Sequence, residues 1–295
     1  MKNLICINTY KSSELVKAFI WDYIDFVKNR DDYKFIVSLD GDDKETINYC
    51  NKYKIPFLYS DINEGVGISK NRVLTSFNNY DYYFFIEDDI ELLNSDVFDV
   101  HIKLSQELNI HHFSLFEARR IREQKNILKN NEFHIIQAMY GGAPFNFFTK
   151  KGIDIVGGFH THFAKYKRFG HTEHSYRFVN NNLVKYPFNI IEECLDGYFR
   201  WNDPISRIKI SVEVSENRLF VEEEELILEK LKFYPIKTIS PYHENNIENM
   251  SSLDNIIYDK NISKNKKYFY FKLNILEFVR NIKSKLKYMI KRFKA

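Results

Sequence analysis

The chain reads as an α/β protein with a mostly parallel central sheet flanked by helices and a helical extension at its C-terminal end. Three observations predict this. Over the first 125 residues short apolar runs alternate with amphipathic stretches, each apolar run ends in a polar segment rich in Asp, Asn or Gly, and an apolar stripe set among lysines closes the chain. Strict alternation of strand and helix implies parallel crossovers, and in such sheets ligands bind beyond the carboxyl ends of the strands.

The elements follow in order. Leu4 to Asn8 is a continuous apolar run suited to a strand buried on both faces. Ser12 to Lys28 carries the three- and four-residue spacing of a helix. Lys34 to Leu39 and Pro56 to Ser60 read as further strands, with Lys44 to Lys52 as the helix between them. A helix over Ile68 to Phe77 precedes the strand Tyr82 to Ile86, and His112 to Phe116 reads as another strand. The polar rim then comprises Asn8-Thr9-Tyr10, Asp40-Gly41-Asp42-Asp43, Asp61 to Gly67 and Glu87-Asp88-Asp89.

After Gln137 the pattern changes. Tyr140 to Thr149 is rich in Gly and Phe, a short helix follows, and Gly157-Gly158-Phe159 leads into a polar, His-rich segment from Arg168 to Asn182. This portion is expected to pack on the sheet and complete a cleft. Ser206 to Tyr234 reads as irregular or partly helical, and its acidic run, Glu222 to Glu225, as the solvated start of a helix.

Composition narrows the class. With 295 residues, 44% hydrophobic, and only 10 Gly and 6 Pro, the chain is long and apolar enough for a proper core and is not a linker or a disordered segment. Cys6, Cys50 and Cys194 are odd in number and scattered, so free thiols in a reducing compartment are expected. Neither a signal peptide nor a membrane-spanning run is expected, which points to the cytoplasm. The net charge of +3 hides an asymmetry: residues 261 to 295 carry 11 Lys or Arg against one acid, Glu277, whereas the preceding body carries 32 basic and 39 acidic residues. An acidic body without a base-reading motif argues against nucleic-acid binding.

Glu87, Asp88 and Asp89 end the apolar run Tyr82 to Ile86 with three consecutive carboxylates. Such a cluster repels itself unless protonation, a cationic side chain or a cation relieves it. Hard oxygen donors at a strand end suit Mn2+ or Mg2+ held by one or two carboxylates plus substrate phosphates; a solvated turn is the plain alternative.

The order of these features resembles the nucleotide-sugar glycosyltransferases of the GT-A fold, a Rossmann-like architecture, and in particular the large, mostly inverting bacterial family 2. The resemblance covers residues 3 to 190. It rests on Ile5-Cys-Ile-Asn-Thr9, Val37-Ser-Leu-Asp40-Gly-Asp-Asp43, Asn63-Glu-Gly-Val-Gly-Ile-Ser-Lys-Asn-Arg72, the acidic triplet, Gly157-Gly-Phe159, Gly170-His-Thr-Glu-His174 and Arg177. It implies that Thr9 and Asp40 lie against the base and ribose of a nucleoside diphosphate, with a UDP-sugar as donor. Asn63, Gly65 and Gly67 would form a loop into a helix, with Lys70 and Arg72 facing the phosphates or base. Glu87-Asp-Asp89 would be a variant of the family's Asp-x-Asp signature, Asp88 lying near the ribose and Asp89 ligating the metal, with His243 as a further metal ligand. The catalytic base would be Glu173 or His174, where the family frequently has Asp at the latter position. Gly141, Gly142 and their aromatic neighbours resemble the acceptor-side loop.

The resemblance divides the chain into a nucleotide-sugar-binding half (1–125), an acceptor and base half (126–245), and a linker with the basic helix (246–295). Along that helix Ile275, Val279, Ile282, Leu286, Met289 or Ile290, and Phe293 recur at three- and four-residue intervals, with Phe278 flanking and lysines over the remaining surface. Three partners fit this pattern: an anionic membrane interface, the catalytic domain itself, or a second copy in a homodimer. The expectation is a metal-dependent glycosyltransferase peripherally attached to the inner face of the membrane and extending a glycan or lipid-linked acceptor in bacterial surface polysaccharide or lipooligosaccharide synthesis. Its rivals are a sugar nucleotidyltransferase, which would carry a Gly-rich phosphate loop that Asn8 to Ser13 lacks, and a non-catalytic carbohydrate-binding scaffold.

Overall fold

The computed structural model describes residues 1–115, 124–139, 141–142, 144–165, 169–195, 197–202, 230–250 and 253–293, with side chains of the last helix described as far as 276 and at 279. The acidic run at 222–225 lies outside the described residues.

The first half alternates as the apolar pattern dictates: β1 (Asn3–Thr9), α1 (Ser13–Lys28), β2 (Tyr33–Asp40), α2 (Lys44–Tyr53), β3 (Phe57–Ser60), α3 (Val66–Ser76) and β4 (Tyr82–Glu87). Then come β5 (Ile90–Leu92), α4 (Asp96–Leu108), β6 (His112–Leu115), the hairpin β7 (Gln124–Asn130) and β8 (Phe133–Ala138), β9 (Phe145–Thr149), α5 (Lys150–Val156) and α6 (Gly170–Asn180). The chain ends with β10 (Phe188–Ile191), β11 (Phe199–Trp201), β12 (His243–Asn245) and α7 (Ile262–Phe293).

Seven strands form the central sheet in the order β12-β3-β2-β1-β4-β9-β6. The strands β1 to β4 are mutually parallel, while β9 and β12 run antiparallel to their neighbours. Both faces are covered. Alternate residues of β1 diverge, Ile5 and Ile7 into the core beneath α1 and α4, Leu4 and Cys6 into the one beneath α3, α5 and α6, as the two-residue period of a strand requires.

Two expectations change here. The aromatic stretch assigned to an acceptor-side loop is largely β9: Phe145, Phe147 and Phe148 are buried between β4 and β6. A run of three phenylalanines in four residues suits an interior strand better than an exposed loop, and its Asn146 is buried with its Oδ1 bonded to Lys70. The second is the segment after 242, which returns to the first half, with β12 pairing along β3 and Asp259 accepting from Tyr49 on α2.

Gly157 closes the junction between α5 and the strand-like segment around Tyr234. Its φ of +79° lies in the left-handed region, and a Cβ there would fall 1.8 Å from the Tyr234 carbonyl oxygen. Gly157→Ala is therefore expected to cost more than about 1 kcal/mol of stability, read by urea unfolding. An unchanged midpoint would show that this contact is not part of the folded state.

Candidate active site

Because β1 to β4 are parallel and in register, their carboxyl ends lie level. Thr9 pairs with Leu39, Asp40 with Ser60 and Asn8 with Glu87. Thr9, Asp40, the loop 61–65 and the triplet 87–89 thus share one rim. Asp40 and Glu87 lie two strand spacings apart across β1, on the order of 10 Å.

Asp40 is buried and accepts hydrogen bonds from the backbone N–H of Glu64 (3.0 Å) and Gly65 (2.6 Å), while Asn63 Oδ1 accepts from the same Gly65 N–H (3.1 Å). The loop can aim consecutive N–H groups at one carboxylate because Gly65 adopts φ +88° at the start of α3. Gly67 brings α3 close to Phe159, whose Cβ would lie 3.2 Å from an added side chain.

Neither Arg72 nor Lys70 faces outward, contrary to expectation. The fully buried Arg72 guanidinium donates to Asp40 (3.0 Å) and Glu64 (2.7 Å). Lys70 is 1% exposed, donates to Asn146 Oδ1 on β9 (2.6 Å) and lies over the rings of Phe85 and Phe159. The physical reason is that α3 is enclosed on all sides over residues 68–74, with Ser69 on Ser38 of the sheet and Asn71 donating to the carbonyls of Phe159 and Lys237. Burial pushes the Lys70 ammonium pKa down, with Glu87 opposing.

The triplet is electrostatically crowded. Burial, then Asp89, pushes the Glu87 carboxyl upward, while Lys70 pulls it down. Burial, then Asp89, pushes Asp88 up to about 8, against the hydroxyls of Thr9 and Ser12 and the Tyr10 backbone. Asp89 is buried and accepts from the Trp201 indole N–H at 2.8 Å, and its carbonyl accepts from Asn202 N–H at 2.8 Å. Trp201 was not legible in the sequence, since it arrives from β11 through pairing with β5.

Among the described residues, no group of three or more His, Cys, Asp or Glu side chains converges as a protein-only metal cage. The donor set does fit a cation completed by substrate, since Asp88 and Asp89 supply hard oxygens and their mutual repulsion is what a bound cation relieves. His243 does not join them. It lies on β12, four strand spacings or about 19 Å from β4, stacked on Tyr59 and 3.5 Å from Asp61.

The first turns of α6 show a similar inversion. Glu173 is 4% exposed and bound through both oxygens to Arg177 (2.7 and 2.5 Å), whose guanidinium also donates to the carbonyls of Val156 and Gly158. Its pKa is raised by burial, with Arg177 opposing. His174 is buried, stacks on Phe159 and bonds to the Gly157 carbonyl at 3.0 Å. Both face the interior because α6 turns these positions toward α5 and the Gly157 junction. His171 instead lines a narrow cleft with Gly65, Gly67, Lys70, His160 and Phe163. Burial, then Lys70, holds the His171 pKa down to about 4.

No family model matches this chain, and no curated protein does either. Among solved structures, residues 1–349 of S. aureus TarS align at a TM-score of 0.51 and 14% identity, covering 79% of this chain and 70% of that one. The same fragment in complex with UDP aligns at 0.50 and 13%, covering 78% and 70%. A further structure of S. aureus TarS aligns at 0.51 and 13%, covering 74% of this chain and 39% of that one. The likeness establishes the fold, which is that of GT-A nucleotide-sugar glycosyltransferases.

Glu173→Gln is expected to lose about 3 kcal/mol of stability by leaving Arg177 buried beside a neutral partner. Unchanged urea stability with transfer reduced 100-fold would instead return Glu173 to a direct role in proton transfer. The buried histidines set a pH dependence. His101 and His171 are held down to about 4 and His112 to about 3, each mainly by burial, against an ordinary value of 6.5. The unfolded chain therefore binds more protons below pH 6.5, so their contribution to stability is present above that pH and lost as it falls toward 4. The raised carboxyls of Glu87 and Asp88 act in the opposite sense over the same window, so the check is a comparison: the loss of urea stability between pH 7 and pH 5 should be smaller in His101→Gln than in the wild type, and an equal loss would contradict the sign.

Proposed function

We propose that the protein is a glycosyltransferase that moves a sugar from a nucleoside diphosphate donor, a UDP-sugar, to a hydroxyl of a glycan acceptor in the synthesis of bacterial surface polysaccharide or lipooligosaccharide. The observation that carries this reading is the convergence of Thr9, Asp40 and Glu87-Asp88-Asp89 on the carboxyl rim of one parallel sheet. The UDP complex of the TarS fragment, which shares this fold, supports the choice of donor.

In this reading Asp40, held by the Glu64 and Gly65 amides, turns its remaining lone pairs to the nucleobase, and Thr9 borders the ribose with Asp88. Asp88 and Asp89 would hold Mn2+ or Mg2+, which when bound supplies neutralisation of the charge developing on the departing diphosphate. Trp201 fixes the Asp89 carboxylate through its indole N–H, so less ordering is needed when the donor arrives. Arg72 and Lys70 act from behind, Arg72 by clamping the base-side carboxylates and Lys70 by offsetting the negative charge of Glu87.

Transfer with inversion requires a proton acceptor on the acceptor side of the sugar. Of the groups on the first turn of α6, His171 borders the cleft and stays neutral near pH 7, so its imidazole can accept a hydrogen bond from the acceptor hydroxyl. Glu173 and Arg177 set the position of that turn.

Asp89→Asn keeps an acceptor for Trp201 while removing the charge. The wild-type protein is expected to gain thermal stability from UDP in the presence of Mn2+, and the variant to lose that gain together with at least about 100-fold of transfer. Equal UDP shifts in both proteins, with or without Mn2+, would overturn the role of the triplet.

A further inference from the structure

Helix α7 is divided between two apolar faces. One face seats Phe269 and Leu273 against Leu15, Ala18 and Phe19 of α1, and Lys266 and Lys272 pair with Asp22 and Glu14 along the same helix. Because Lys266 meets Asp22 whereas Lys272 meets Glu14, α7 runs antiparallel to α1. It leaves the body past the first turn of α1, which is the carboxyl end of β1 and the rim that carries the acidic triplet.

A second face is open. Tyr268, Phe271, Ile275 and Val279 are 55, 62, 45 and 40% exposed, and their three- and four-residue spacing makes one stripe. At about 100° per residue it lies roughly 135° round the helix from Phe269 and Leu273. In the sequence the same spacing continues through Ile282, Leu286 and Phe293, while residues 261 to 295 carry 11 Lys or Arg against Glu277 alone. The residues 273–293 add about 31 Å of helix beyond the last contact with Glu14. Among the described residues, no helix is long and apolar enough to cross a membrane.

We infer that α7 is a membrane-surface helix that clips onto α1 by one face and lays the other into an anionic lipid interface, with the active-site rim turned toward that surface. The charge decides the occupant. Lys266 and Lys272 are taken up by acids of the body, and a second copy would bring the other 9 of the 11 cations against this stripe, whereas anionic headgroups neutralise them, at about 1 kcal/mol per Lys or Arg near the surface. The inference deepens the glycosyltransferase reading, because a rim held at the lipid surface suits an acceptor carried on a lipid.

The test uses the full chain and vesicles without donor, so lipid binding and sugar transfer succeed or fail separately. The protein is expected to sediment with vesicles containing phosphatidylglycerol, not with phosphatidylcholine alone, and to be released by high salt. The combined variant Phe271→Ser, Ile275→Ser and Val279→Ser should cut vesicle partition at least tenfold while leaving the unfolding midpoint and UDP binding unchanged. Undiminished partition of the variant, absence of wild-type binding to anionic vesicles, or a dimer in analytical ultracentrifugation that the variant abolishes would each overturn the inference.

Discussion

Everything at the site depends on β1 lying in parallel register between β2 and β4. That register brings Thr9, Asp40 and Glu87 to one level, so three loops far apart in sequence open onto a single rim. Parallel strands buried on both faces leave their ends as the places where polar groups meet solvent. The negative charge of the rim therefore follows from where the strands stop.

Buried positive charge is distributed around that rim rather than across it. Arg72 ties Asp40 to Glu64, Arg177 holds Glu173 against the Gly157 junction, and Lys70 sits beneath the sheet near Glu87. Each cation is fixed by hydrogen bonds, which makes the loops stiff and keeps the cationic groups out of solvent. In the proposed reading, a rim with rigid walls and crowded carboxylates receives a cation and an anionic ligand together, as a nucleoside diphosphate requires.

The C-terminal helix belongs to the same arrangement. Lys266, Tyr270 and Arg200 gather on Glu91, two residues after Asp89. The strand that carries Arg200, β11, also delivers Trp201 to Asp89 itself. The packing of α7 on α1 is thus continuous with the support of the acidic corner, and its free apolar face extends from the same end of the molecule.

The alternation of β1 to β4 with α1 to α3, and the carboxylates at the strand ends, were legible in the sequence because hydrophobic period and burial are local properties. The predicted ends fall within two residues of the observed ones for these elements. Other features had no local signal. Phe145–Thr149 reads equally well as an aromatic loop or as a strand until β4 and β6 take it up, and Trp201 reaches Asp89 only through the pairing of β11 with β5. Side-chain direction was likewise decided by tertiary structure: the enclosure of α3 on all sides buried Lys70 and Arg72, the rotation of α6 turned Glu173 and His174 inward and left His171 at the cleft, and the edge position of β12 kept His243 from the triplet. Sequence by itself determined which chemistry could gather at the rim. The fold decided which of those groups face it, because helix phase and strand order are settled by contacts between residues distant along the chain.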